Sequence, residues 1–90
     1  MRVALICRDK PGHLQTRLDT RAAHLEHIKA SGVVEMAGPF LSPEGQMTGS
    51  LVVLQVETLA QAEDWAANDP YAKAGLFESV TISEWKKVVG

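Results

Sequence analysis

The stretch Arg17–Ile28, RLDTRAAHLEHI, decides how the chain folds in our interpretation. The apolar residues in and just before it share one face of a helix and are Leu14, Leu18, Leu25 and Ile28. The same spacing puts Arg17, Arg21 and His24 together on a face that borders this apolar stripe. We therefore predict a long amphipathic helix with two cations and a titratable imidazole at the edge of the core.

Composition limits what kind of protein this is. The chain has 90 residues with a formal net charge of −2 and 46% hydrophobic residues, which is typical of one globular domain over 1–90. We find no basic tract that would suggest nucleic acid and no apolar run of about 20 residues that would suggest a membrane. The N-terminal apolar segment ends by Cys7 and indicates a strand rather than a signal peptide, so a cytoplasmic location is the expectation.

Strand and helix patterns alternate along the chain. The predicted strands are 3–8, 33–41, 47–57 and 76–89, and the predicted helices are 13–31 and 58–68, with a short turn over 71–75. Gly32 is the expected C-cap of the first helix and Thr58 the expected N-cap of the second. Asp69-Pro70 should end the second helix, because a residue before proline avoids the α region.

This order, βαββαβ, predicts an α+β ferredoxin-like fold in which an antiparallel sheet carries two helices on one face. The strands over 3–8 and 47–57 are apolar on both faces, whereas two helices cover only one. We therefore predict a homodimer through sheet faces. The alternative is chance placement of a few alanines and valines.

Asp69 is the candidate partner of His24. Both helices lie on the same face of the sheet, so a carboxylate at the break of the second helix can turn toward the first. A carboxylate on one imidazole nitrogen would fix the tautomer and prepare the other nitrogen for proton transfer. Arg17 and Arg21 beside it would bind the carboxylate or phosphate of a ligand. The plainer alternatives are a helix stop for Asp69 and a solvated helix flank for the arginines.

Other polar residues have weaker signals. Ser50 would line a pocket through its hydroxyl, although it is also an ordinary strand residue, and Cys7 is expected to be a buried hydrophobe. His27 is expected to be exposed to solvent, and its i, i+3 spacing from His24 lacks the rest of a metal-binding pattern, so we predict no metal site. Gly38-Pro39 lies within the second strand and indicates an edge, a bulge or a strand end. Motifs for nucleotide, hydrolase or thiol redox chemistry are missing, and we expect no cofactor.

Several short motifs resemble those of the YCII-related domain family, also called the YciI family. They are RxxxRAAHL over 17–25, AGP over 37–39, TGS over 48–50, DPYxxAGLF over 69–77 and WKKV over 85–88. The resemblance implies a ferredoxin-like fold assembled as a dimeric α+β barrel, with catalytic residues His24 and Asp69. It also implies ligand contacts at Gly38, Pro39 and Tyr71, in addition to those expected at Arg17, Arg21 and Ser50.

Two functions follow as expectations. The first is a cofactor-independent enzyme that uses the His24–Asp69 dyad for proton transfer on a small anionic or phenolic molecule, by isomerisation or elimination. The family resemblance supports it, since a dehydrochlorinase of a chlorinated hydroxyhydroquinone is a related protein. The second is a non-catalytic small-ligand-binding or accessory dimer that uses the same pocket.

Overall fold

A computed structural model describes residues 1–90 as one four-stranded antiparallel sheet with helices packed on it. The strands are β1 (Arg2–Asp9), β2 (Val34–Leu41), β3 (Met47–Gln55) and β4 (Phe77–Trp85). The helices are α1 (Leu14–Ser31), α2 (Leu59–Asn68) and α3 (Pro70–Lys73). The strand order β2-β3-β1-β4 and the element order confirm the predicted ferredoxin-like fold. The short helix α3 stands where the sequence predicts only a turn.

Local chemistry sets the helix ends as expected. Helix α1 stops at Gly32, whose φ of +67° is a left-handed conformation that glycine adopts without a steric penalty. Helix α2 begins at Thr58, whose side chain accepts from the Gln61 N–H while the Gln61 side chain accepts from the Thr58 N–H. It ends at Asn68, immediately before Asp69-Pro70. These features set the end of α1 and both ends of α2.

The core lies between the helices and one face of the sheet. Its fully buried cluster consists of Val3, Leu5, Cys7, Val52, Leu54, Ala62 and Trp65. The prediction of a buried Cys7 is confirmed, and burial raises the pKa of its thiol to about 12. The thiol is therefore protonated at neutral pH, and its role is to pack.

The opposite face of the sheet is apolar and only partly covered within one chain, where Val53 is already buried. Ala4 of β1 pairs with Val53 of β3, and Ile6 pairs with Leu51, so these four side chains share the face that the helices leave open. The large apolar residues exposed there include Ile6 at 37%, Met36 at 44% and Trp85 at 41%. A second copy on this face stays a prediction.

The Gly38-Pro39 pair lies in β2, which is an edge strand as the sequence indicates. Pro39 pairs with Ser50 of β3, and the β2–β3 register shifts at two places along the pairing. Because the other side of β2 has no strand, a residue without an N–H is tolerated. This edge borders the cavity described below.

Gly49 is where β3 comes too close to β1 for any side chain. A Cβ at this position would overlap the backbone carbonyl oxygen of Cys7. We expect Gly49→Ala to lower the free energy of unfolding by about 1–3 kcal/mol, because the two central strands would have to separate. Urea denaturation measures this loss.

Gly38→Ala is the matched control, since a Cβ at Gly38 would meet no atom within 4 Å. It should change the unfolding midpoint little. If both variants lost the same free energy of unfolding, the close approach of Gly49 to the Cys7 carbonyl would not be the reason for a glycine at this position.

Candidate active site

His24 and Asp69 form a buried hydrogen-bonded pair. Nδ1 of His24 lies 2.8 Å from Oδ1 of Asp69, and both side chains are almost fully buried. Since a carboxylate only accepts, Nδ1 carries the hydrogen and donates it. The imidazole is thereby held as the tautomer whose Nε2 has a free lone pair.

One oxygen of Asp69 has two partners. Oδ1 also accepts the backbone N–H of Tyr71 at 3.0 Å, which caps α3 at its first turn. Pro70 occupies the first helical position, where a residue without an N–H fits. The two interpretations of Asp69, helix stop and imidazole partner, are therefore both present in the same side chain.

The ring of His24 lies flat on Tyr71. The ring centroids are 4.0 Å apart with an angle of 18° between the planes. Nε2 makes no hydrogen bond within the chain, yet no fully buried side-chain nitrogen or oxygen lacks a partner. Nε2 must therefore keep some accessible surface, and the cavity that His24 lines provides it.

The sequence predicts Arg17 and Arg21 as a joint receptor for an anion, but their surroundings differ. Arg17 is buried, and its Nε and Nη2 donate to the two carboxylate oxygens of Asp9 at 2.7 and 2.8 Å. Nη2 also donates to Oγ of Ser50 at 2.9 Å. Burial alone would lower the pKa of Arg17, but the hydrogen bond and charge of Asp9 outweigh it and raise that pKa. The charge of Arg17 is thus already compensated inside the protein.

Arg21 lies one turn further along α1, is exposed, and forms no ion pair in the chain. Its guanidinium is the uncompensated positive charge among the residues around His24. Of the two arginines, Arg21 is therefore the one free to meet an anion.

These residues surround a cavity of about 170 Å³ between α1 and the β2–β3 edge of the sheet. The sequence-predicted site residues that line it are Arg17, Arg21, His24, Gly38, Pro39, Ser50 and Tyr71. Asp69 stands behind His24, outside the lining. The structure therefore brings all eight predicted residues into one region.

The family model of the YCII-related domain matches residues 1–86. The chain belongs to the YCII-related domain family. A protein from Haemophilus influenzae is 37% identical, and the protein YciI from Escherichia coli is 34% identical; each alignment covers 98% of this chain and 99% of the relative. Among solved structures, the 5-chloro-2-hydroxyhydroquinone dehydrochlorinase TftG from Burkholderia phenoliruptrix, in complex with 2,5-dihydroxybenzoquinone, is 33% identical with a TM-score of 0.89. That match covers 96% of this chain and 94% of the other.

Sequence reasoning missed Asp9 in this YCII-related domain. It lies just beyond the predicted strand over 3–8, whereas in the structure it is the last residue of β1 and the partner of Arg17. A signal was available, because an arginine that faces the core requires an acid. Asp9 is the acidic residue just before the helix that carries Arg17.

The apolar wall of the cavity in this family member was also missed. It is formed by Leu25, Ile28, Ala37, Met47 and Val52. Met47 and Val52 belong to the predicted strand over 47–57, but nothing in the sequence alone says that α1 stands away from this part of the sheet. The space that remains is the cavity.

Two expectations for α1 of this YCII-related domain were wrong. The predicted apolar stripe is not the buried face, since Leu18 and Leu25 are 48% and 44% exposed, while the residues of α1 that are buried are Arg17 and His24. His27 is not a solvated side chain: its Nε2 donates to the carbonyl of Trp65 at 3.2 Å, and its ring packs on the indole. The reason is that α1 packs on α2 and α3 through the flank that carries His24 and His27.

None of the helices of this family member combines the length and the apolar character that crossing a bilayer requires.

Proposed function

We propose that the chain is a cofactor-independent enzyme that moves a proton on a small anionic or phenolic ring compound. The observation that carries this proposal is the 2.8 Å bond from His24 to Asp69, with Nε2 left open to the cavity. An imidazole whose tautomer is fixed by a carboxylate is a general base that becomes a general acid in the reverse step. His24 has this role in our proposal and Asp69 orients it.

Cavity size and lining support a one-ring ligand. An apolar protein cavity of about 150 Å³ accommodates benzene, and this one has about 170 Å³. One wall is apolar, with Met47 and Val52, while Arg21 supplies a free positive charge. The 33% identity to TftG, which was solved with 2,5-dihydroxybenzoquinone, supports the same class of compound. We therefore infer a hydroxylated ring that carries a negative charge.

The proposed step needs no oxidant or reductant. Nε2 of His24 takes a proton from a carbon or an oxygen of the ring compound. The electron pair of the broken bond moves onto an oxygen attached to the ring, called the ring oxygen below. In an isomerisation, the imidazolium returns the proton to another atom. In an elimination, the electron pair shifts toward the carbon that bears a leaving group. The leaving group then departs with the electrons of its own bond to that carbon. Electrons are conserved in both cases, so the proposal requires no redox cofactor.

The other polar residues position the ligand in this scheme. Arg21 binds the anionic group, and the backbone at Gly38-Pro39 closes the cavity on the side of β2. Ser50 accepts from Arg17 and keeps that guanidinium beside the cavity.

We also propose that the enzyme is a homodimer through the open sheet faces. The apolar side chains exposed on this face, Ile6, Met36 and Trp85, support a second copy as its cover. Size-exclusion chromatography with light scattering measures the mass.

A combined binding and turnover screen tests the proposed function. Purified protein is heated with 2,5-dihydroxybenzoquinone, hydroxylated benzenes with and without a ring chlorine, and small aliphatic carboxylates. Ring anions should raise the unfolding temperature, since a ligand at 100 times its Kd adds about 2.7 kcal/mol to stability. At least one ring compound should also be converted, as followed by its absorbance spectrum.

Arg21→Gln should remove most of the stabilisation by ring anions, whereas Lys29→Gln, an exposed cation near the end of the same helix, should not. Binding without conversion across the panel would favour the accessory-dimer function. Absence of both binding and conversion would overturn the proposal.

A further inference from the structure

Tyr71 has a hydroxyl whose partner within the chain is the guanidinium of Arg17. The residue is only 2% exposed, with its ring between His24 and the edge-on ring of Phe77. A guanidinium can only donate, so this contact leaves the O–H of Tyr71 without an acceptor, although buried tyrosines usually find one. Tyr71 lines the cavity, where a ligand can supply that acceptor.

The surroundings of Tyr71 favour a phenol that donates. Burial raises the pKa of Tyr71 above its ordinary value, and the charges of Arg17 and Arg21 together with the hydrogen bond from Arg17 only partly offset this. The hydroxyl is therefore protonated at neutral pH. The guanidinium of Arg17 lies over the ring, with its central carbon 4.7 Å from the ring centroid, and holds the phenol in place.

Asp69 ties this phenol to the imidazole. The same carboxylate oxygen accepts from Nδ1 of His24 and from the backbone N–H of Tyr71, so the two residues share one anchor. Their rings also stack at 4.0 Å. The imidazole of His24 and the phenol of Tyr71 are therefore held in a fixed relation. Together they offer the cavity a lone pair at Nε2 and an O–H at Tyr71.

We propose that Tyr71 is a second catalytic residue, whose hydroxyl donates a hydrogen bond to the ring oxygen on which negative charge develops while His24 removes a proton. This inference rests on the proposed function. The proton taken from the ligand goes to Nε2, the electron pair goes to the ring oxygen, and the O–H of Tyr71 stays on Tyr71 as a hydrogen bond to that oxygen. The substrate class is thereby narrowed to rings with a carbonyl or hydroxyl oxygen conjugated to the acidic position.

Tyr71→Phe tests this role, because it keeps both ring contacts and removes only the hydroxyl. We expect kcat on a substrate found in the screen to fall by about 10²–10³-fold, as when one oxyanion donor is removed elsewhere, with a much smaller change in KM. Ser50→Ala, which removes the other hydroxyl of the cavity, should lower kcat less. A wild-type kcat in Tyr71→Phe, with His24→Gln inactive, would overturn this inference and leave the proposed function standing.

A direct measurement is possible because Tyr71 is the only tyrosine of the chain. Protein labelled with ¹³C at tyrosine Cζ gives one resonance that reports the ionisation of this phenol. Bound 2,5-dihydroxybenzoquinone should move that resonance and raise the pH at which the phenol ionises. An unchanged resonance on bound probe would overturn the inference even if Tyr71→Phe fails to fold. A wild-type protein that neither binds the probe nor converts any ring compound would remove the proposed function and this inference together.

Discussion

His24→Gln is expected to lower kcat by about 10²–10⁴-fold on any ring compound that the protein converts. Glutamine roughly fills the space of the imidazole and can still hydrogen-bond to Asp69, but it has no basic nitrogen to offer at the position of Nε2. Because the lost interaction exists chiefly in the transition state, KM should change far less than kcat. Steady-state kinetics at a fixed pH measure both quantities.

His27→Gln is the matched control for this experiment. His27 lies on the same helix, but its Nε2 donates to the carbonyl of Trp65 and its ring packs on the indole, away from the cavity. Its kcat should equal that of the wild type. If His24→Gln retained wild-type turnover, or if both histidine variants lost it equally, His24 would not be the base.

Asp9→Ala is expected to lower the free energy of unfolding by about 3–5 kcal/mol. Arg17 and Asp9 have side chains that are only 3% and 7% exposed, and two hydrogen bonds join them. Removal of the carboxylate leaves a buried guanidinium whose remaining partners, the hydroxyls of Ser50 and Tyr71, carry no negative charge. Urea denaturation at one fixed protein concentration measures the loss.

The partly exposed ion pair between Arg2 and Glu35 provides the control. Its distance is also 2.7 Å, but its side chains are in contact with solvent, so Glu35→Ala should change the unfolding midpoint only slightly. The double variant Asp9→Leu with Arg17→Met should regain much of the lost stability, because no buried charge is left without a partner. If Asp9→Ala and Glu35→Ala lowered the free energy of unfolding equally, burial of the ion pair would not explain the loss.

The features that could be predicted from the sequence are those that depend on neighbours in the chain. Gly32 and Thr58 end and begin helices through backbone conformation and capping within three residues. Asp69-Pro70 ends α2 because proline restricts the residue before it. The order of these elements then limits the fold to very few arrangements. For this reason the fold was predicted correctly, apart from the short helix α3.

The candidate site was only partly predictable. The spacing of Arg17, Arg21 and His24 shows that they share a face, and the family resemblance points to Asp69. The ion pair of Arg17 with Asp9 depends on the distance between the end of β1 and the start of α1. The periodicity of the sequence gives no information on that distance. The exposure of Leu18 and Leu25 likewise depends on which flank of α1 packs on the other helices, and the sequence alone does not show this.

Oδ1 of Asp69 accepts two hydrogen bonds, one from the imidazole of His24 and one from the N–H that caps α3. The helix side and the strand side of the cavity therefore differ in how strongly their residues constrain one another. On the helix side, any change of the acid also disturbs the start of α3, so the reactive groups are confined to one arrangement. On the strand side, Ala37, Met47 and Val52 line the cavity with aliphatic groups that no such bond restrains. We therefore expect replacement of these strand residues to change which ligands fit the cavity without disturbing the hydrogen bonds of Asp69.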